Sequence, residues 1–275
     1  MPRFPVPHLT ATRELMRLLP LFLRRPMETI YERRLATTLA GLPRPRHIGI
    51  MLDGNRRWAR EAGHDDVREG YRVGGAKVAE FLEWCTAADI RHVTLFMLSD
   101  DNLGRPPTEL GPLIEIIEAT VRDITGPDRD WEVQVIGSLD LLPDSAARVL
   151  TQAAADTVER RGLKVDVAVG YGGRREIVDA VKSAFRQHIA AGGDPVELIE
   201  QFDVDDISRH LYSASGDNTD FIIRTSGEQR LSGFLLWQSA YAEMQWMDCH
   251  WPAFRRIDFL RALRSYAGRQ RRFGM

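Results

Sequence analysis

The sequence predicts an α/β fold built as one domain around a parallel sheet, and three observations carry that reading. Short apolar or β-branched runs recur along the chain: "HIGIML" (47–52), "HVTLFML" (92–98), "WEVQVIG" (131–137), "KVDVAVG" (164–170), "DFIIRT" (220–225) and "GFLLWQ" (233–238). Runs of this length and composition suit strands covered on both faces. Helical patterns lie between them, and such alternation builds a sheet with helices on both faces. Finally, no internal repeat, low-complexity tract or clear linker divides the 275 residues, which at 44% hydrophobic can bury one sizeable core.

Taken in order, residues 1–45 read as an N-terminal helical extension that ends near "LPRPRH", and 46–275 as the body of the fold. The apolar run "LLPLFL" (Leu18 to Leu23) is far too short to span a membrane and contains Pro20. Without a small-residue cleavage site it does not read as a signal peptide. Arg13, Arg17, Arg24 and Arg25 flank it, so a helix resting on a membrane surface is one reading. Packing against the protein body is the simpler one.

The first strand, 47–52, is followed by "GGAKVAEFLEWCTAAD", where Val78, Phe81, Leu82 and Cys85 recur at helical spacing. After the second strand, "TELGPLIEIIEATVRDI" has the same pattern, as do "DSAARVLTQAAADTVERR" after the third and "REIVDAVKSAFRQHIAA" after the fourth. In such folds ligands bind beyond the carboxyl ends of the strands. There the chain places Asp53-Gly54-Asn55-Arg56-Arg57, "SDDNLGRP" (99–106), "YGGRRE" (171–176) and "RTSGEQRLSG" (224–233). Arginine in all four loops points to an anionic ligand.

Phosphate is the natural candidate. A helix starting at Gly54 aims free N–H groups and the positive end of its dipole at an anion. Arg57, Arg224 and Arg230 can add bidentate hydrogen bonds, and Ser232 a hydroxyl. Asp53 then suits Mg²⁺, which takes one or two carboxylates plus substrate phosphates. Structural readings stand beside these: Asp53 as an N-cap, Asn102 as a turn former, Arg230 as a surface charge and Glu243 as an exposed residue of a helix or strand. Several classes are excluded or demoted. There is no Walker A loop, no G-x-G-x-x-G after a strand and no D-D-x-x-D. Asp205-Asp206 is followed by Arg209 where a third carboxylate would stand. A net charge of -2, from 37 basic and 39 acidic residues, argues against a dedicated nucleic-acid binder. Cys85 and Cys249 are too few for a disulfide framework, so a reducing cytoplasm is the default.

"HIGIMLDGNRRWAR", "LSDDNLGRP", "VGYGGRREIVDAV", "IIRTSGEQRLSGFLLWQSAYAEM" and the terminal "RRFGM" resemble the cis-prenyltransferases, the undecaprenyl diphosphate synthase family, from Arg46 to the C-terminus. The likeness is greatest to the short-chain (Z)-farnesyl diphosphate synthases. It implies a single α/β domain with a mostly parallel six-stranded sheet, 46–275 as the catalytic domain, and a homodimer. It also implies condensation of isopentenyl diphosphate with an allylic diphosphate (dimethylallyl, geranyl or farnesyl) to give a new cis double bond.

Residue by residue, the resemblance makes Asp53 the Mg²⁺ ligand that assists departure of the allylic diphosphate, and Glu243 a second metal ligand. Gly54, Asn55, Arg56 and Arg57 would cradle that diphosphate, with Trp58 alongside. Ser99, Asp100, Asp101 and Asn102 would surround the reacting centre, Asn102 helping to relay the proton lost, with Arg105 supporting the phosphates. Arg224, Arg230, Leu231 and Ser232 would bind isopentenyl diphosphate, and Arg272-Phe273-Gly274 would complete the partner subunit's site. Asp101, Tyr71 and Gln229 stand where relatives usually have glutamate, histidine and histidine. Met97 stands where long-chain relatives commonly have alanine, which implies a short product, (2Z,6E)-farnesyl diphosphate. The alternatives are a long-chain polyprenyl diphosphate synthase, a non-catalytic subunit of a heteromeric prenyltransferase, and an enzyme that joins two allylic diphosphates.

Overall fold

A computed structural model describes residues 21–213 and 218–269. Their strands are β1 (His47–Met51), β2 (His92–Ser99), β3 (Glu132–Ile136), β4 (Lys164–Tyr171), β5 (Phe221–Arg224) and β6 (Glu243–Trp246). They form one sheet in the order β3-β4-β2-β1-β5-β6, and every pairing is parallel. The helices are α1 (Leu21–Leu39), α2 (Asn55–Glu61), α3 (Arg68–Ala87), α4 (Pro107–Ile124), α5 (Asp144–Ala155), α6 (Gly173–Ala190), α7 (Pro195–Gln201), α8 (Val204–His210) and α9 (Arg256–Ala267).

The central strands are buried on both faces, which is why they read as apolar runs without alternation. Ile48, Ile50, Val93 and Leu95 belong to the larger core, with Phe81 and Leu82 of α3, Ile117 and Val121 of α4, and Phe259 of α9. Met51, Ala168, Tyr171 and Ile222 form a second core on Phe234 and Leu235. The described part of the N-terminal extension joins the larger core. Leu35 and Leu39 of α1 are buried there, and Arg261 of α9 lies over the Tyr31 ring. At the amino-terminal end of the sheet the buried His92 Nε2 lies 2.8 Å from Asp166 Oδ2. Burial pushes the Asp166 carboxyl up, but the His92 contact outweighs it and holds the group below its ordinary range.

One predicted strand is corrected. Residues 233–238 form a succession of turns, and the sixth strand is Glu243–Trp246. Ser232, Gly233 and Leu235 have φ of 47°, 80° and 45°, and three left-handed residues within four positions cannot continue a regular strand. Phe234 and Leu235 are apolar because they plug the second core, not because they extend it. The helix predicted from Asp144 ends at Ala155, well short of Arg161.

Two short helices, α7 and α8, went unpredicted. Each is set by an aspartate cap, Asp194 accepting from Val196 N–H and Asp203 forming a capping box with Asp206. Asp206 is thereby a capping residue, paired also with Arg209.

Parallel pairing between β2 and β4 is interrupted twice, and both irregularities bear on the site. Phe96 pairs with Ala168 and Leu98 with Val169, so Met97 is an extra residue on β2. Ser99 then pairs with Tyr171, which makes Gly170 the extra residue on β4; its φ of +61° suits glycine. The bulges compensate and restore register at the strand ends.

Phe81 is fully buried among Trp84, Trp251, Phe254 and Phe259, with ring centroids 5.5–6.3 Å away. Phe81→Ala should destabilise the fold by about 3–5 kcal/mol, measured by urea denaturation. A loss below about 1 kcal/mol would show that the aromatic cluster collapses onto the space.

Candidate active site

β1 and β5 are neighbours, yet their onward connections leave in opposite directions, β1 toward β2 and β5 toward β6. Such a switch point opens a crevice at the carboxyl ends of the strands. A cavity of about 470 Å³ lies there, lined by residues that include Asp53, Gly54, Asn55, Arg56, Arg57, Asn102, Arg105, Arg224, Arg230 and Ser232.

Asp53 is held from several sides. Its Oδ2 accepts from Arg224 Nη2 at 2.8 Å and its Oδ1 from Gly54 N–H at 2.7 Å. Thr225 Oγ1 accepts from Asp53 N–H at 2.9 Å and donates to Asp53 O at 2.7 Å, locking the backbone. Burial pushes the Asp53 carboxyl up, but the Arg224 hydrogen bond and charge, Gly54 and Ser226 outweigh it, leaving the pKa below its ordinary 3.8. Gly54, with φ of 97°, is the N-cap of α2; a Cβ there would sit 2.5 Å from His250 Nδ1. The first intrahelical bond of α2 runs from Trp58 N–H to Gly54 O.

Arg56, Arg57, Arg105, Arg224 and Arg230 of the crevice each contact a carboxylate. Arg57 lies 3.1 Å from Glu228 and donates to Ser226 Oγ at 2.9 Å; Arg230 pairs with the same Glu228. Arg224 is only 3% exposed, donates to Arg230 O and to Ser232 Oγ at 3.1 Å, and its Nε–H has no acceptor among the described residues. Arg56 lies 3.3 Å from Glu109. Opposite, Asn102 N–H donates to Ser99 Oγ at 3.2 Å, and Arg105 Nε and Nη2 donate to Asn102 Oδ1 at 3.1 and 2.9 Å. Away from these polar groups the cavity is lined by Phe96, Met97, Leu98, Leu113, Ile116 and Ile117. The bulge at Met97 lets consecutive residues of β2 line one space, which regular alternation forbids. The site is therefore amphipathic: cationic at its mouth and apolar along its bore.

Not every candidate residue is gathered here. Ser99 and Asp101 line the cavity. Trp58 does not; it stacks on His64, ring centroids 5.5 Å apart. Asp100 is turned away, accepting from Asp101 N–H and lying 3.8 Å from Arg175. Leu231 packs against the second core. Glu243 opens β6, opposite Phe221 and so three residues, about 10 Å along the strand, before the Arg224 position; it accepts from Arg269 at 2.9 Å. Gly274, with Arg272 and Phe273, lies outside the described residues, as does the N-terminal part of "LLPLFL".

Conversely, Arg60, Tyr71 and Trp251 line the cavity, and Thr225, Ser226, Glu109 and Glu228 hold its arginines and its aspartate. Arg60, one turn after Arg56 on α2, was legible from helical spacing. The carboxylate partners were not.

No cluster of three or more His, Cys, Asp or Glu side chains suited to a metal occurs among the described residues. Asp53, half-exposed to the crevice, offers a single carboxylate. That donor set fits a Mg²⁺ ion completed by phosphate oxygens and does not fit a cage made of protein alone.

Comparison with known proteins agrees with this geometry. The family model described as putative undecaprenyl diphosphate synthase matches residues 50–274. The chain is 61% identical to isoprenyl transferase 2 of Streptomyces coelicolor, covering 91% of this chain and 98% of that one. It is 55% identical to a (2Z,6E)-farnesyl diphosphate synthase of Thermobifida fusca, covering 92% and 98%. Among solved structures it matches lavandulyl diphosphate synthase from Lavandula x intermedia in complex with dimethylallyl diphosphate, with a TM-score of 0.77, 29% identity, and coverage of 84% and 98%.

The Asp53–Arg224 pair has a pH signature. A depressed folded pKa means that the pair contributes stability above the unfolded value of 3.8, lost as pH falls below it through the folded pKa. Arg224→Gln removes the opposing charge and leaves burial, so the Asp53 pKa should rise. Carboxyl-carbon NMR titration of both proteins reads this directly; an unchanged Asp53 pKa would show that Gly54 and Ser226 suffice to hold it.

Proposed function

The chain belongs to the undecaprenyl diphosphate synthase family of prenyltransferases, and from that premise we propose that it condenses isopentenyl diphosphate with an allylic diphosphate to give (2Z,6E)-farnesyl diphosphate. The amphipathic cavity carries the reading: a cationic mouth beside one half-buried carboxylate, opening onto an apolar bore lined by Met97. A prenyl diphosphate has that same division of charge and oil. The names of the bacterial relatives point to the same product class.

In this reading the C–O bond of the allylic diphosphate breaks as its C1 joins C4 of isopentenyl diphosphate, which then loses a proton. Negative charge grows on the departing diphosphate. Arg56, Arg57 and the backbone N–H of Asn55 are assigned to stabilise it, and fixed donors lower a barrier most where such charge develops; Gly54 N–H instead holds the Asp53 carboxylate. Arg224, Arg230 and Ser232 are assigned to the diphosphate of isopentenyl diphosphate. Asp53 would hold Mg²⁺, whose chemistry is to neutralise charge on the phosphate oxygens. The apolar bore keeps water from the electron-deficient allyl group. A homodimer is part of the proposal, the Arg272-Phe273-Gly274 tail completing a partner's site, with Glu243 on the edge strand β6. A cytoplasmic location is likewise proposed; no described helix is long and apolar enough to cross a membrane.

Purified protein with Mg²⁺, labelled isopentenyl diphosphate and each allylic primer should yield a C15 product from geranyl diphosphate. Asp53→Ala should keep its fold and lose condensation by at least two orders of magnitude, as expected for a group placed at developing charge. Near-normal turnover with unchanged Mg²⁺ dependence would sink the assignment.

Met97 is proposed to set chain length. A longer chain must displace this side chain, and overpacking costs about 1–3 kcal/mol, enough to slow further addition by roughly one to two orders of magnitude. Met97→Ala should shift the product mass distribution beyond C15. An unchanged distribution makes Met97 packing only.

A further inference from the structure

Asn102 faces the cavity with an amide whose two ends offer opposite chemistry, oxygen accepting and NH₂ donating. Which end meets the substrates follows from its partner. Arg105 Nε and Nη2 lie 3.1 and 2.9 Å from Asn102 Oδ1. A guanidinium carries only donors, so the atom facing it must be the amide oxygen. Two N–H groups occupy both lone pairs of that oxygen. The NH₂ is left as the end without a side-chain or backbone partner among the described residues.

The orientation is only as good as the hold on Arg105, which Tyr71 and Glu109 share. Arg105 Nη1 donates to Tyr71 Oη at 2.8 Å and to Glu109 Oε1 at 2.9 Å, while Tyr71 O–H donates to the same Glu109 oxygen at 3.1 Å. The three groups close a triangle in which a single atom, the phenol oxygen, accepts from one partner and donates to the other. Tyr71 stands on α3 and Glu109 in the first turn of α4, so packing of those helices fixes the triangle's corners. Burial raises the phenol above its ordinary pKa of 10.0, against the Arg105 and Arg56 charges, and the group keeps its proton at neutral pH. A histidine has donor and acceptor on separate ring nitrogens and does not reproduce this bridge.

We propose that Tyr71 is a positioning residue, which through Arg105 turns the Asn102 oxygen away from the reacting centre and presents its NH₂ there. Asn102 then serves the reaction as a hydrogen-bond donor to negative charge. The inference rests on the condensation proposed above.

The test is Tyr71→Phe, which keeps the ring and removes the bridge. Loss of one charge-assisted hydrogen bond in a positioning chain should lower kcat about tenfold, with KM for both diphosphates and the melting temperature little changed. The decisive measurement repeats the substitution in an Asn102→Ala background by single-turnover kinetics. If Tyr71 acts through Asn102, its effect disappears there. Should Tyr71→Phe fold poorly, Arg105→Lys gives a second reading, because an ammonium cannot make the paired contact; its kcat loss should likewise vanish without Asn102. Equal turnover of wild type and Tyr71→Phe, or a full effect persisting in the Asn102→Ala background, overturns the assignment alone. No condensation product from the wild type overturns the proposed reaction and this assignment with it.

Discussion

The ion pair between Asp53 and Arg224 ties together the ends of β1 and β5, and most of the site hangs from it. Met51 and Arg224 are register partners, so the carboxylate two residues beyond β1 meets a guanidinium at the last position of β5. Arg224 is 3% exposed, and a buried charge without a partner is strongly destabilising. The pair is therefore as much a requirement of Arg224 as a device of Asp53. Once it forms, Thr225 can bracket the Asp53 backbone, Gly54 can adopt its left-handed turn, and α2 starts where Arg56 and Arg57 look into the crevice.

The same economy runs through the crevice. Glu228 bridges Arg57 and Arg230, and Glu109 bridges Arg56 and Arg105, so neighbouring cations are kept apart in fixed directions. Clustering like charges is unfavourable unless counter-charges intervene. Carboxylates shared between arginines relieve that repulsion and leave guanidinium edges free for a diphosphate. Charge at the mouth and apolar walls behind it are thus parts of one design. A low-dielectric bore strengthens every electrostatic contact at its entrance.

Close packing of α3 and α4 serves two ends. Its inner surface supplies Leu113, Ile116 and Ile117 to the bore, and its outer end brings Tyr71 to Glu109 and Arg105. The β2 bulge does for a strand what a loop does elsewhere: it aims Met97 into space that a regular pleat would deny it.

Much was legible in the sequence because its signals are local. Apolar runs marked β1, β2, β4 and β5, since strands buried on both faces are mostly apolar, and Val133, alternating with polar neighbours, marked the edge strand β3. Asp53 to Arg57 and Arg224 to Ser232 stood out because a strand's end determines where its next residues lie. The failures share a cause as well. "GFLLWQ" has a strand's composition, but its left-handed residues make it a plug. β6 is four half-exposed residues, too few for a period to show. Trp58, on α2, and Asp100 and Leu231, in loops, lie in the right segments, yet a side chain's direction there depends on what packs beside it.

By itself, then, the sequence determined the parallel α/β layering, the position of the crevice at the strand ends and its arginine-rich lining, because composition and spacing act over a few residues. Only the tertiary structure decided which carboxylate holds which arginine, where Met97 points and which end of Asn102 faces the cavity. Those depend on atoms brought within about 3 Å from distant parts of the chain, a distance at which hydrogen-bond geometry is set by packing.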